Sequence, residues 1–303
     1  MEGRRTQDME SILGPMRVPF LLLTPACVFL GAGSARWTDG PLVAWQVALV
    51  LVGALGAHIS VNALNEYYDF RSGLDFHTIR TPFSGGSGTL PTSPGSAGGA
   101  LVTGAVAASV TAGVGIYLVI LRGPGLLPLG ILGLGIIASY TPWLTRSPLL
   151  CLIAPGTGFG LLMVMGTDFA LTGSYSWTAF TASLVPFFLV NNLLLLNQFP
   201  DVAADRRVGR RHLPIVAGLR VAGMVYGLFH LFVHLSIVVG VVLGLMPPAC
   251  LLGLLALLIA VPNVIKVFRE SDGEIGRLIP AMGGNVMLNL ITPVLVGVGF
   301  LIA

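Results

Sequence analysis

Charge is what this sequence has least of. Only 10% of its 303 residues are Asp, Glu, Lys or Arg, against about 25% in an ordinary soluble domain. With 54% hydrophobic residues, the chain has too little polar surface to face water. A soluble enzyme, a disordered chain and a nucleic-acid binder are thereby excluded. Cysteine is scarce too. Cys27, Cys151 and Cys250 lie in separate apolar runs with no CxxC or Cys/His spacing, so a disulfide framework and a thiolate metal site drop out. Glycine is plentiful, at 40 residues well above the average usage of about 7%. Closely packed membrane helices use glycine in this way.

Nine apolar segments approach the length of about 20 residues that a membrane helix needs. They are 17–35, 42–65, 98–121, 124–142, 148–171, 177–199, 219–246, 248–268 and 280–302. The predicted fold class is an all-α membrane protein with nine transmembrane helices. With the N-terminus in the cytoplasm, 14 of the 16 Lys and Arg residues fall in cytoplasmic segments, leaving only Arg36 and Arg122 outside. The formal net charge of +3 is thus mostly a topology effect.

The acidic residues are more informative. Glu66, Asp69, Asp75, Asp201 and Asp205 gather at the cytoplasmic ends of spans two and six. Ionisable groups at membrane depth are costly and usually functional. His58, Asn62, Asn65 and Asp69 recur at helical spacing and share one face of span two. Gly73 allows the chain to turn and bring Asp75 back toward that face. Asn197, Asp201 and Asp205 likewise share a face at the end of span six, with Pro200 expected to kink the helix. The paired Asn-x3-Asp elements, four spans apart, suggest a parallel internal duplication, about 17–142 and 148–268, plus a ninth helix.

Clustered carboxylates and amides suit hard divalent cations such as Mg²⁺, which bridge carboxylates to substrate phosphates. Two such ions balance four aspartates, leaving a diphosphate to be matched by basic residues. Arg71, Arg80, Arg146 and Arg206 lie in the neighbouring loops and offer bidentate donors. A greasy cavity topped by such a site suits a long hydrocarbon carrying a diphosphate. Metal would neutralise the leaving group, and the apolar wall would shield the allylic cation from water.

These motifs resemble those of the UbiA superfamily of intramembrane prenyltransferases, most closely its menaquinone-type branch. Asn65-Glu-Tyr-Tyr-Asp69-Phe-Arg-Ser-Gly-Leu-Asp75 is similar to the first Asp-rich motif. Asp201-Val-Ala-Ala-Asp205, with its basic, Gly-containing continuation, is similar to the second. Tyr140-Thr-Pro-Trp followed by Arg146 is similar to the loop between spans four and five. The resemblance implies helices around a central cavity and two Mg²⁺ ions joining the Asp motifs to a prenyl diphosphate. It implies Asp69, Asp75, Asp201 and Asp205 as metal ligands and catalytic residues, with Asn65, Asn197 and Arg146 on the diphosphate. Charge and location add Arg80 and Arg206. Tyr140 and Tyr68 are either interfacial belt residues or ring faces for the allylic cation. The sequence departs from the family pattern at Glu66, where Asp is common, and at His212-Leu-Pro-Ile, where Thr-Leu-Ala is more usual.

The leading expectation is a polyprenyltransferase acting on an aromatic quinone precursor such as 1,4-dihydroxy-2-naphthoate, in a prokaryotic inner membrane with its site at the cytoplasmic face. A glycerol lipid, carotenoid or porphyrin-type acceptor, or cyclisation of the chain, is the alternative within the fold. A cation-coupled transporter is the alternative of another class. The run from Ser84 to Pro91 reads equally as an anion-binding nest or a connector, and His58 equally as packing or cavity lining. His230 and His234 read as packing, Asn191 and Asn192 as interhelical glue. Arg207, Arg210 and Arg211 read as topology or headgroup contacts.

Overall fold

The computed structural model describes residues 13–271 and 274–303. Arg4 and Arg5, counted among the cytoplasmic basic residues, and the acids Glu2, Asp8, Glu10 and Asp272 lie outside the described residues. Among the described residues, eight helices are long and apolar enough to cross a membrane. They are α1 (Leu13–Asp39), α2 (Ala44–Ser72), α3 (Pro94–Arg122), α5 (Pro148–Thr172), α6 (Trp177–Asn197), α7 (Leu219–Val242), α8 (Pro248–Glu270) and α9 (Ile275–Leu301). Where the sequence predicts a fourth span over 124–142 stands a shorter apolar helix, α4 (Pro124–Ser139). Pro124 opens it, and the Tyr140-Thr-Pro142 turn closes it early. At 1.5 Å per residue it reaches about 24 Å, less than the roughly 30 Å hydrocarbon core. No strand occurs among the described residues.

The outer surface is apolar. Ile120, Val242 and Leu258 each expose more than three quarters of their surface, which hydrocarbon tails accommodate and water does not. The largest core cluster, with Leu30, Val185, Leu189, Ile237, Leu288 and Phe300, joins α1, α6, α7 and α9. Close approach and polar pairs do the rest. Ser60 Oγ donates to Gly104 O at 2.8 Å, and Thr111 Oγ1 to Gly53 O at 3.0 Å, pinning α2 to α3. Asn191 Oδ1 accepts from Gly156 N–H on α5, and Asn192 Nδ2 donates to Tyr226 O on α7. Both asparagines are the interhelical glue their sequence suggests. His230 and His234 are buried within the bundle, His234 Nδ1 lying 2.7 Å from His230 O. Asp168, the buried acid near the other face, accepts from Ser34 and Ser176 and ties α1, α5 and the start of α6 together.

α2 runs on to Ser72, so Asn65 and Asp69 stand on one continuous helix, as their helical spacing predicts. One difference from the sequence reading shapes the site. At the end of α6, Pro200 does not kink a continuing helix. The helix stops at Asn197, a turn follows, and Asp201 caps a separate short helix, Val202–Arg207. Pro200 has no N–H to continue the helical ladder, so the chain breaks there. The i, i+4 relation survives only from Asp201 to Asp205, whose N–H donates to Asp201 O at 2.8 Å.

Candidate active site

Four local devices assemble one polar pocket. The first is the end of α2. Gly73 takes φ +80°, and its N–H caps the carbonyls of Asp69 and Phe70. Glycine adopts this left-handed conformation without a Cβ penalty. The chain then folds back through a short turn, Leu74–Phe76, in which buried Leu74 anchors Asp75 into the pocket. Asp75 thus comes back to the Asp69 side through the turn that Gly73 permits.

The second device is the glycine-rich loop after Thr81. Glu66 neither joins the acidic cluster as a free carboxylate nor caps α2. Its buried side chain accepts from Ser87 N–H at 2.7 Å and Ser87 Oγ at 2.8 Å, and Arg17 Nε lies 3.5 Å away. This clasp draws the loop over the pocket. Gly86, at φ +74°, lies so close that an added Cβ would stand 3.3 Å from Asp75 Oδ1 and 3.4 Å from Glu66 Oε1.

The third device is the break in α1 at Arg17. Among the described residues it is the one non-glycine residue with positive φ (52°), a conformation that costs about 1–3 kcal/mol. It directs the guanidinium between Glu66 and the Phe20 ring.

The fourth is the loop after Asp205. Gly209 turns the chain, so that Arg210 comes back over the aspartate. Arg210 Nη1 donates to Asp205 Oδ1 at 2.9 Å, and Nη2 pairs with Asp69 Oδ1. His212 Nε2 lies 2.8 Å from the other oxygen of Asp205. Arg210, expected at the lipid headgroups, instead bridges the two acidic motifs.

The pocket, of about 100 Å³, is lined by Asn65, Asp69, Asp75, Asn197, Asp201 and Asp205, with Tyr140, Arg17, Arg210 and His212. It thus gathers the six Asn and Asp residues singled out in the sequence. Below it opens a second cavity of about 490 Å³ whose wall is almost wholly apolar and drawn from α1 to α6 and α9. Arg17, Asn65, Phe83, Tyr140, Leu194 and Asn197 line both and form the neck between them. His58 and Asn62 continue the α2 stripe into the large cavity, His58 held by Thr24 Oγ1 at 2.8 Å.

The other predicted contacts fall elsewhere. Arg146, Arg80 and Arg206 are exposed and line neither cavity. Arg80 Nη2 reaches Gly88 O, and Arg206 Nη2 reaches Ile215 O. Tyr68 is 36% exposed against Tyr67, which suits a belt residue and not a cavity wall. Arg17, Arg210 and His212 are the basic residues that sequence reasoning does not bring to this pocket. Gly209 before Arg210 is the one local signal for a chain return. Nothing near Arg17 marks it apart from other span-end arginines.

The electrostatics are those of a site awaiting positive charge. Burial, reinforced by the charges of Asp69 and Glu66, pushes the Asp75 carboxyl up to about 7. Burial and then the charge of Asp205 push Asp201 up to about 7 as well. Burial also raises the Tyr140 hydroxyl well above its usual range, so it stays protonated. Burial opposes the charge of Arg210, but Asp69 and Asp205 overcome it and hold the guanidinium more firmly protonated than usual. Asp75 Oδ2, Asn197 Oδ1 and Asp201 Oδ1 are buried without a hydrogen-bond partner among the described residues, a costly arrangement. Three bare oxygens around one pocket fit a hard divalent cation. No three His, Cys, Asp or Glu side chains among the described residues form a ready-made metal group.

The geometry is that of a small charged pocket joined to a large apolar cavity within a bundle of membrane-length helices. The chain belongs to the UbiA prenyltransferase family, whose model matches residues 22–278. Family membership makes it an integral, multi-pass membrane enzyme, a prenyltransferase. Among solved structures, a UbiA homologue from Aeropyrum pernix K1 superposes with a TM-score of 0.71 at 19% identity, covering 93% of this chain and 97% of that one. A digeranylgeranylglyceryl phosphate synthase gives 0.61 at 12% identity, covering 97% of each. A UbiA homologue from Archaeoglobus fulgidus bound to GPP and Mg²⁺ gives 0.62 at 11% identity, covering 93% and 98%. No curated protein matches the sequence.

Proposed function

We propose that this enzyme moves a polyprenyl chain from its diphosphate to a lipophilic acceptor, with the diphosphate in the acidic pocket and the hydrocarbon in the apolar cavity. The observation that carries this is the junction: an acid- and arginine-rich pocket meets a long apolar cavity through a neck of Asn65, Asn197, Tyr140 and Arg17. The A. fulgidus homologue, solved with GPP and Mg²⁺, supports Mg²⁺ as the cation, and two ions suit two acidic motifs. Asp75, Asn197 and Asp201, with bare buried oxygens, and Asp69 and Asp205 would hold them. Magnesium supplies charge neutralisation of the leaving diphosphate. Arg17 and Arg210 add fixed positive charge at the same end. The protonated Tyr140 presents its ring and hydroxyl at the neck, where the cleaved C–O bond would lie. The apolar wall below keeps water from the allylic carbon.

The acceptor we favour is an aromatic quinone precursor such as 1,4-dihydroxy-2-naphthoate, whose electron-rich carbon attacks and then loses a proton. The basic residues of the sequence gather at the end that carries the acids, which supports a cytoplasmic site in a prokaryotic inner membrane. The test is product formation by purified protein with Mg²⁺, prenyl diphosphates of several lengths and a lipid extract, read by mass. Asp69→Ala and Asp201→Ala are expected to lose turnover while keeping wild-type elution and helicity. Full activity in either folded variant would refute the assignment.

A further inference from the structure

Arg210 takes one oxygen from each acidic motif, and a cation joining Asp69 to Asp205 would use the same oxygens. The two terminal nitrogens of Arg210 are spent on Asp69 Oδ1 and Asp205 Oδ1, and His212 holds the remaining oxygen of Asp205. The side chain is enclosed, with 17% of its surface exposed. A divalent ion binding Asp69 and Asp205 therefore contends with the guanidinium for the same lone pairs. A diphosphate changes this balance, because its oxygens offer Arg210 a planar, bidentate partner in exchange.

We propose that Arg210 is an exchangeable counter-cation. It neutralises Asp69 and Asp205 across the two motifs, yields them to a divalent ion, and passes its N–H donors to the diphosphate arriving with that ion. Cation and diphosphate then enter together, and the cation by itself binds weakly. This inference rests on the reading of the pocket as a cation–diphosphate site and adds a positioning residue and an order of binding to it.

A structural brace and an exchangeable counter-cation predict opposite signs when Arg210 is removed. If Arg210 only braces the fold, Arg210→Met loosens the carboxylates and weakens cation binding. If Arg210 competes, the variant leaves two buried carboxylates unneutralised, and a cation recovers that cost. Mn²⁺ serves as the probe, its bound fraction read by electron paramagnetic resonance on detergent-solubilised protein. Arg210→Met is expected to bind Mn²⁺ alone about tenfold more tightly than wild type. With Mn²⁺ present, it is expected to bind the unreactive analogue geranyl thiolodiphosphate about tenfold more weakly. Arg210→Lys, whose single ammonium cannot span both carboxylates, is expected between the two and carries the test if the Met variant does not fold. Equal or weaker Mn²⁺ binding in a folded variant overturns the proposal. If wild type binds no Mn²⁺ even with the analogue, the functional reading falls and this inference with it.

Discussion

Raising the pH should destabilise this protein when divalent cations are chelated, and the cause can be traced to two residues. Burial holds Asp75 and Asp201 at about 7, against an ordinary 3.8. In the folded chain they bind protons more tightly than in the unfolded chain. Their contribution to stability is therefore most favourable below about pH 4 and is lost as pH rises through about 7. At about 1.36 kcal/mol per pKa unit, either group alone contributes up to about 4 kcal/mol of destabilisation above that range. The two do not add, because both feel Asp69. A divalent cation favours the ionised forms and reverses the penalty. The assay is thermal unfolding in detergent with EDTA, or with MgCl2 and geranyl thiolodiphosphate, from about pH 6 to about pH 8. In EDTA the midpoint should fall by several degrees across this range, and the stabilisation by Mg²⁺ should be larger at the upper end. The Asp75→Asn, Asp201→Asn double variant should show neither trend. A midpoint in EDTA that stays level or rises, or a slope that survives in the double variant, would refute the reasoning.

Two further outcomes follow from the loop and the cavity. Glu66→Ala removes the acceptor for both Ser87 donors and the partner of Arg17. It should cost about 1–3 kcal/mol of stability, expose the 84–91 loop to limited proteolysis and raise the donor KM, and unchanged proteolysis would refute the clasp. Ala57→Phe places a ring in the wall of the apolar cavity, about 12 Å along α2 from Asn65. It should bar long donors while sparing short ones, and an unchanged chain-length profile in a product assay would show that the prenyl tail lies elsewhere.

What is legible in the sequence is what local periodicity governs. A helix fixes which residues share a face, so spacing alone assigns His58, Asn62, Asn65 and Asp69 to one stripe. All four line one or other of the two cavities. The turn at Gly73 is equally local, and Asp75 follows it. Loops are different, because long-range partners aim them. Arg206, Arg207, Arg210 and Arg211 are nearly alike in sequence, yet only Arg210 enters the pocket. Its direction is set by Gly209, Asp205 and an aspartate 141 positions away. Glu66 meets the same limit, since its partner Ser87 is 21 residues on. Arg146, matched by motif alone, points outward, while the adjacent Thr145 lines the pocket. The length of α4 escapes a hydropathy reading because the apolar run continues past the residues at which Tyr140 and Pro142 end the helix.

The neck explains why this arrangement suits cleavage of an allylic diphosphate better than cation transport. Asn65 and Asn197 hold equivalent places, four positions before Asp69 and Asp201, and both border the two cavities. Above them lie four carboxylates and two partly buried arginines. Below them, from Asn65 to Val50 along α2, runs a wall about 22 Å long that is apolar apart from Asn62 and His58. A transport site would place its carboxylates on a polar route through the membrane, whereas this acidic pocket adjoins a cavity lined mainly by apolar side chains. Arginine held against the acids would also repel a transported cation, while it favours a phosphate. The steep change from charge to oil is where a bond between a diphosphate and a hydrocarbon is best broken. On the proposed reading the negative leaving group would stay in the pocket that stabilises it, and the carbon cation would form beside the apolar wall that shields it from water.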